Sequence, residues 1–391
     1  MIETHHFSRR AFIAGVALLA GCSRKRAARY RAWLFIASAS EKAVVVSDLA
    51  SFQRSGSIPL GATPDQVLST RGSVFVVCRE NQTIVRIDAL RREVNATIPL
   101  GGRIAGAALT NSGAILAVAL SQPASIVLID TASTKIVQRT NLPGIPQAIA
   151  ASDNQAAVIL TANSGSRDSA RLTRVGIPKG EILGVSDVNA GALSSLDYRK
   201  DGQTIFVGAP DARQLISLST DSGAVLARLP VPIRPARFCV DGTGGQVFVT
   251  GADQDPQLVI FSPYQNQVDQ TLYAGSALYG MAVAPNRNLL FLSNPDTGDV
   301  TIVYIETRRI AASVRTGGNP REILIALSDG LEEYAFVVDG SSGDVSVIHI
   351  PLVLHKPGDA IIAEPPKPVF AVFHAGADPQ SAVIVPYPAS S

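Results

Sequence analysis

The chain reads as an all-β protein, a β-propeller of eight four-stranded blades. Three observations predict it. One four-strand unit recurs eight times along the sequence. Many of the units' last strands are rich in small residues. The series opens on outer strands and ends on an inner one, so the two chain ends would close one ring.

In chain order, the leader comes first. Met1 to Arg10 is polar and ends in Ser8-Arg9-Arg10, and Ala11 to Ala20 (AFIAGVALLA) is unbroken apolar sequence. That run is too short for a membrane-spanning helix, which needs roughly 20 residues. A charged leader, a short apolar core and small residues before a cut site describe a secretory signal over residues 1–21. Ser8-Arg9-Arg10-Ala11-Phe12-Ile13 resembles the twin-arginine export signal, with Arg9 and Arg10 as its pair. Leu19-Ala20-Gly21-Cys22 resembles the lipobox of bacterial lipoproteins. The resemblance implies that Cys22 is acylated and becomes the first mature residue; the plainer alternative is an ordinary cleaved signal. Residues 22–32 form a tether whose Arg24, Lys25, Arg26, Arg29 and Arg31 either face anionic headgroups or are simply solvated. Ser23 after the cysteine favours the outer membrane over the inner.

Without residues 1–21 the chain keeps 32 basic and 31 acidic residues. Five of the basic ones lie in the tether, so the body is slightly acidic. Nucleic acid, which calls for a basic face, is therefore not expected as a partner. Apolar residues make up 46% and charged ones 17%, which suits a large core. Cys78 and Cys239 fall in apolar strand runs of different units and read as buried thiols.

The propeller is expected over residues 33–391. First strands begin near Leu34, Val74, Ile115, Ala157, Thr204, Val247, Leu289 and Tyr334, about 40 to 47 residues apart, the period of propeller blades. Unit two is the clearest: Val74–Cys78, Thr83–Asp88, Val94–Leu100 and Ile104–Leu109, with polar or Gly turns between. The fourth strands are VLS after Gln66, IAGAAL from Ile104, AIAA from Ala148, LSSL from Leu193, ARFCV from Ala236, GMAVA from Gly280, EILIAL from Glu322 and SAVIV from Ser381. Small side chains there have a steric cause, because inner strands crowd around the channel. In the last unit a Pro-rich excursion, Pro351 to Pro368, separates the second strand from the third. Seven blades is the alternative, since unit four is longer and lacks the Asp that ends other second strands. Asp48, Asp88 and Asp130 end such strands and read as turn formers.

VFVVCRENQTIVRID, IVLIDTASTKIV, LLFLSNPDTGDVTIV and the Gly-x-x-Pro segments Gly61–Pro64, Gly317–Pro320 and Gly376–Pro379 resemble the YVTN-type repeat of YncE-like propellers. The resemblance covers nearly the whole chain after Tyr30. It implies the propeller fold and leaves the function to the loops at the channel ends.

At the channel mouth Arg103, Arg234, Arg237, Arg321, Asp65 and Tyr279 are the candidate ligand-binding residues. Arginine's planar fork suits an anion or carboxylate; alternatively these arginines pair with neighbours such as Asp65 and Glu322. The acidic group Asp253, Asp255, Asp296 and Asp299 matches no regular calcium loop and reads as turn chemistry. His349, His355 and His374 are the only histidines after residue 6 and read as structural. No covalent haem motif, zinc signature, phosphate loop or nucleophile elbow appears, so no cofactor, metal or catalytic residue is expected. Haem d1-binding propellers are a related-looking class, and the absence of upstream histidines argues against that comparison.

The expected function is therefore a non-catalytic binding or scaffold propeller of the cell envelope, lipid-anchored, with a protein, peptide or envelope component as partner. The alternative is a lactonase-like or quinoprotein-like periplasmic enzyme. A deep pocket of converging arginines and acids at the channel mouth would favour the enzyme, and a flat apolar loop face would favour a partner.

Overall fold

A computed structural model of the chain describes residues 30–70, 72–161, 170–241, 245–252, 255–328, 331–353 and 368–387. The leader with Arg9 and Arg10, Cys22, most of the tether, Asp253, His355 and most of the Pro-rich excursion lie outside them.

Eight antiparallel four-stranded sheets form a closed ring of blades. Blade 1 is built from β1 (Ala32–Ser38), β2 (Ala43–Asp48), β3 (Gln53–Pro59) and β32 (Pro379–Pro386). Each later blade takes four consecutive strands. Blade 2 is β4 (Gln66–Thr70) to β7 (Glu93–Pro99), and blade 3 is β8 (Arg103–Leu109) to β11 (Ile136–Asn141). Blade 4 is β12 (Ile145–Ala151) to β15 (Ile182–Asp187), and blade 5 is β16 (Leu196–Tyr198) to β19 (Val225–Pro230). Blade 6 is β20 (Pro235–Val240) to β23 (Gln267–Tyr273), and blade 7 is β24 (Met281–Ala284) to β27 (Arg309–Arg315). Blade 8 is β28 (Pro320–Ser328) to β31 (Val369–His374).

The closure follows the expected plan. β32 lies against β1, with Trp33 opposite Val385, Phe35 opposite Val383 and Ile36 opposite Ala382. Unit four is a complete blade despite its length, which settles eight over seven. One inner strand is misread by composition: the fourth strand after that unit is Leu196–Tyr198, not the LSSL from Leu193. Ser194 and Ser195 instead form the approach, where the Ser194 hydroxyl donates to the Pro235 carbonyl of the next blade at 2.7 Å.

The two middle strands of a blade are buried on both faces, which explains continuous runs such as SVFVVC in the second strand of blade 2. Successive side chains point to opposite faces, so one strand feeds two interfaces. Leu34 and Ile36 join Tyr334, Phe336 and Val338 of blade 8. Phe35 joins Val74 and Val76 of blade 2. Eight apolar clusters result, one between each neighbouring pair of blades. Inner strands approach closely: a Cβ on Gly106 would sit 3.1 Å from the Ile149 side chain of the next blade.

Turns behave as their residues require. Asp48, Asp88 and Asp130 accept from the backbone N–H groups of Ala50 (2.7 Å), Leu90 (3.0 Å) and Ser133 (2.7 Å). Gly61, Gly317 and Gly376 all have positive φ (70°, 85°, 124°), so the Gly-x-x-Pro segments turn the chain into an inner strand where a side chain would be strained. Cys78 is buried and Cys239 half-buried, and both are free thiols. Among the described residues no helix is long and apolar enough to cross a membrane.

The two ends of the ring differ in kind. The Tyr387 N–H donates to the Arg31 carbonyl at 3.0 Å, so the described chain starts and stops at one end. Antiparallel strand order then places every link into an inner strand at the other end.

Candidate functional site

At the end away from the termini, blades 6 to 8 enclose a cleft of about 620 Å³. It is lined by Arg237 near the start of β20, Tyr279 just before β24, Asn319 and Arg321 where β28 begins, and Asp296 from the hairpin of blade 7. The Arg237 guanidinium carbon lies 3.8 Å from the centroid of the Tyr279 ring, and that of Arg321 lies 5.3 Å from it. Such stacking is favourable and leaves the N–H fork free along its edges. Among the described residues neither guanidinium has a carboxylate partner.

The frame that holds the stack is polar and buried. Ser293, fully buried, accepts from the Gly280 N–H at 2.7 Å and donates to the Arg321 carbonyl at 2.8 Å. The Tyr279 N–H donates to the Ser293 carbonyl at 3.0 Å. Two blades are thus stitched together directly beneath the aromatic ring. Gly280 and Gly340 have a steric role: a Cβ on Gly280 would strike the Arg321 carbonyl, and one on Gly340 would lie 2.6 Å from Arg321 Cδ. Asp339 accepts from the N–H groups of Ser341 (2.9 Å), Ser342 (2.7 Å) and Asn319. Asn319 Nδ2 donates to Ser341 Oγ at 3.1 Å, leaving its buried Oδ1 without a partner.

Two smaller hollows of about 340 Å³ each continue from Tyr279 along the channel wall, one toward Asp197 and Ser195, the other toward Glu322 and Gln380. Burial pushes Glu322 up to about 7, against partial relief from the Ala382 N–H. Burial also raises Asp197, again opposed by one hydrogen bond, from the Tyr198 N–H. Two carboxyl groups beside the cleft therefore hold protons more firmly than free ones.

The structure brings together three of the six expected residues, Arg237, Tyr279 and Arg321. The others stand apart. Arg234 is exposed and ion-paired with Asp211 at 2.8 Å. Asp65 accepts from the Arg79 N–H at 2.7 Å, holding a turn of blade 2. Arg103 is exposed at the start of β8 in blade 3, outside the cleft lining. Glu322, expected as a pairing partner for arginine, is instead a half-buried acid of the channel wall. Asp197 and Asn319 carried no sequence signal, because only strand register shows which residues of an inner strand face the channel.

The remaining candidates sit elsewhere. Asp255 accepts from the Gln257 N–H at 2.9 Å, and Asp299 pairs loosely with Arg315 at 3.9 Å. His349 packs against Tyr334 and Phe370, and His374 meets Asp344 at 3.0 Å, both on the outer half of blade 8. A larger hollow of about 950 Å³ opens at the terminal end over blades 1 to 3. Among the described residues its lining carries no acidic or basic side chain, and the Tyr387 hydroxyl there is committed to Asp48 at 2.6 Å. The chemistry gathers at the cleft end.

No family model matches the chain, and no curated protein does. Solved structures share its fold. A structure described as dihydro-heme d1 dehydrogenase NirN in complex with DHE is 13% identical, with a TM-score of 0.70 over 90% of this chain and 74% of that one. AztD from Citrobacter koseri is 14% identical, with a TM-score of 0.68 over 92% of this chain and 100% of its own. Hydrazine synthase of Kuenenia stuttgartiensis is 16% identical, with a TM-score of 0.54 over 73% of this chain and 95% of that one. At such identities the shared property is the propeller.

Proposed function

We propose that the chain is an exported binding propeller of the cell envelope, held by a lipid on Cys22, that takes its ligand in the channel-mouth cleft without transforming it. The observation that carries the reading is the Arg237–Tyr279–Arg321 stack. It presents two cations without a carboxylate partner among the described residues, in a concave site of about 620 Å³, within the size range of small-ligand pockets. A cleft of this kind takes a small molecule, or a single side chain or terminus of an envelope protein or peptide, and not a flat partner face. The described chain begins at the opposite end of the ring, so a lipid on Cys22 would leave the cleft pointing away from the membrane. The outer membrane is the proposed address, from Ser23.

The haem-type ligand of the first structural neighbour does not transfer. Among the described residues no histidine lines the cleft or the channel hollows, and His349 and His374 belong to the outer half of blade 8. A second reading, a propeller enzyme, is favoured by one observation: Glu322, near 7, is suited to exchange a proton at neutral pH.

The experiment has two arms. Metabolic labelling with palmitate and membrane fractionation, wild type against Cys22→Ser, test the anchor; an unlabelled wild type that still fractionates with membranes removes it. Pull-down of the mature chain from membranes, wild type against Tyr279→Leu, tests the cleft. Capture that is indifferent to Tyr279, or turnover of lactones or dye-coupled oxidation by the purified protein, would displace the binding reading.

A further inference from the structure

We infer that the cleft recognises a short organic diacid bearing a hydroxyl or amine, one carboxylate to each stacked guanidinium and the donor to Asn319 Oδ1. This deepens the binding reading above and rests on it.

Three features of the site select that chemistry. The first is charge. Arg237 and Arg321 both project at the cleft and neither is neutralised by a carboxylate among the described residues. Against them the cleft lining holds one acid, Asp296, so cations still outnumber acids there and an anionic ligand is favoured, and planar forks favour carboxylates held by paired N–H bonds.

The second is spacing and rigidity. Both guanidinium carbons lie over one ring, at 3.8 and 5.3 Å from its centroid, so they are no farther apart than the sum of those distances. That upper bound admits the two ends of a short acid and excludes those of a long one. The stack is also fixed before any ligand arrives. Ser293 clamps the backbone of Gly280 to that of Arg321, and Gly340 leaves the room that the Arg321 side chain fills. Preorganised arginines lose less freedom on binding, which favours small ligands.

The third is an acceptor without a donor. Asn319 spends its backbone N–H on Asp339, its carbonyl on Gly340 and its Nδ2 on Ser341. Its Oδ1 is buried and unpartnered. A buried acceptor left unmade is costly, and because Asn319 lines the cleft, a ligand O–H or N–H that turns the amide toward it would relieve it. A carboxylate alone cannot, because it donates nothing.

The test is calorimetric titration of the mature chain with malate, with succinate, which lacks the hydroxyl, and with malamide, which lacks both carboxylates. Malate is expected to bind at millimolar concentration or below, succinate at least about tenfold more weakly, and malamide not at all. Arg237→Gln and Arg321→Gln should each weaken malate at least about tenfold. Asn319→Ala should abolish the preference of malate over succinate while leaving succinate unchanged. Circular dichroism and melting of each variant control for folding. Malate that fails to bind, or that binds either arginine variant as tightly as wild type, overturns the inference. If malate fails while a membrane partner is still captured through Tyr279, the ligand class falls and the binding reading stands. If malate binds and is turned over, the ligand class stands and the non-catalytic reading falls.

Discussion

Replacing Val385 by Ala probes the closure of the ring. Val385 is 5% exposed on β32 and packs with Phe35, Val46, Val74 and Val76 at the seam of blades 1 and 2. The substitution removes two methyl groups, each contributing roughly 0.8 kcal/mol on transfer, and leaves a cavity that relaxes only in part. The expected loss is about 2 kcal/mol. Val249→Ala in blade 6, at a fully buried position, is the volume-matched control. Urea unfolding reads the global loss, and amide hydrogen exchange localises it. If β32 is the latch, β1 amides that face it should exchange faster in Val385→Ala and stay unchanged in Val249→Ala. A loss below about 0.5 kcal/mol, or β1 exchange identical in the two variants, would refute the view that β32 carries the closure.

Three further outcomes follow from the titratable groups. Burial works against the charge on Asp48, but hydrogen bonds from Tyr387 Oη, the Ala50 N–H and Ser51 outweigh it and hold the carboxyl below its usual range; Tyr387→Phe should therefore cost about 1 kcal/mol near neutrality. That difference should persist above the ordinary carboxylate pKa and close as pH falls through the lowered value, as melting curves across acid pH would show. Glu322 behaves oppositely: between the usual carboxylate pKa and about 7 the folded state holds the extra proton, so its contribution to stability declines as pH rises through that window. Glu322→Gln should melt higher than wild type at alkaline pH and match it at acid pH; equal melting at both would show that the acid is not held in the wall as described. Burial pushes the thiols of Cys78 and Cys239 up to about 12 each, so iodoacetamide should leave both unmodified in the native protein and label both in urea, as read by mass spectrometry.

The ring was legible because its cause is local. Each unit must alternate turn residues with two-sided apolar strands, and Val74–Cys78 or Leu289–Asn294 show that pattern without any partner. Closure was legible because order along the chain already implies it. The weak point was the LSSL segment, where small residues matched the expected composition but the strand began at Leu196. Composition marks crowding and not register. The site was half legible for the same reason. Arg237 and Arg321 were found because arginine near a channel mouth is conspicuous, whereas Arg103 and Arg234 share that residue type and lie outside the cleft. What separates them is the 3.8 Å and 5.3 Å approach to Tyr279, a relation across three blades that no stretch of sequence contains. Glu322 shows the limit most directly, since beside Arg321 it reads as an ion-pair partner until the strand turns its side chain to the wall.

The latch also sets an order of events during synthesis. Among the described strands β1 is the first to leave the ribosome and its partner β32 is the last, with more than three hundred residues between their paired positions. At ordinary rates of translation that interval is on the order of tens of seconds. Throughout it, Leu34, Ile36 and the free edge of β1 have neither blade 8 nor β32 to cover them. Until β32 emerges, the ring stays open at that edge, so closure is a late event of synthesis. Any route that moves this protein across a membrane meets either an open string of blades or a finished ring, and which of the two it carries is decided by when the final eight residues of β32 arrive.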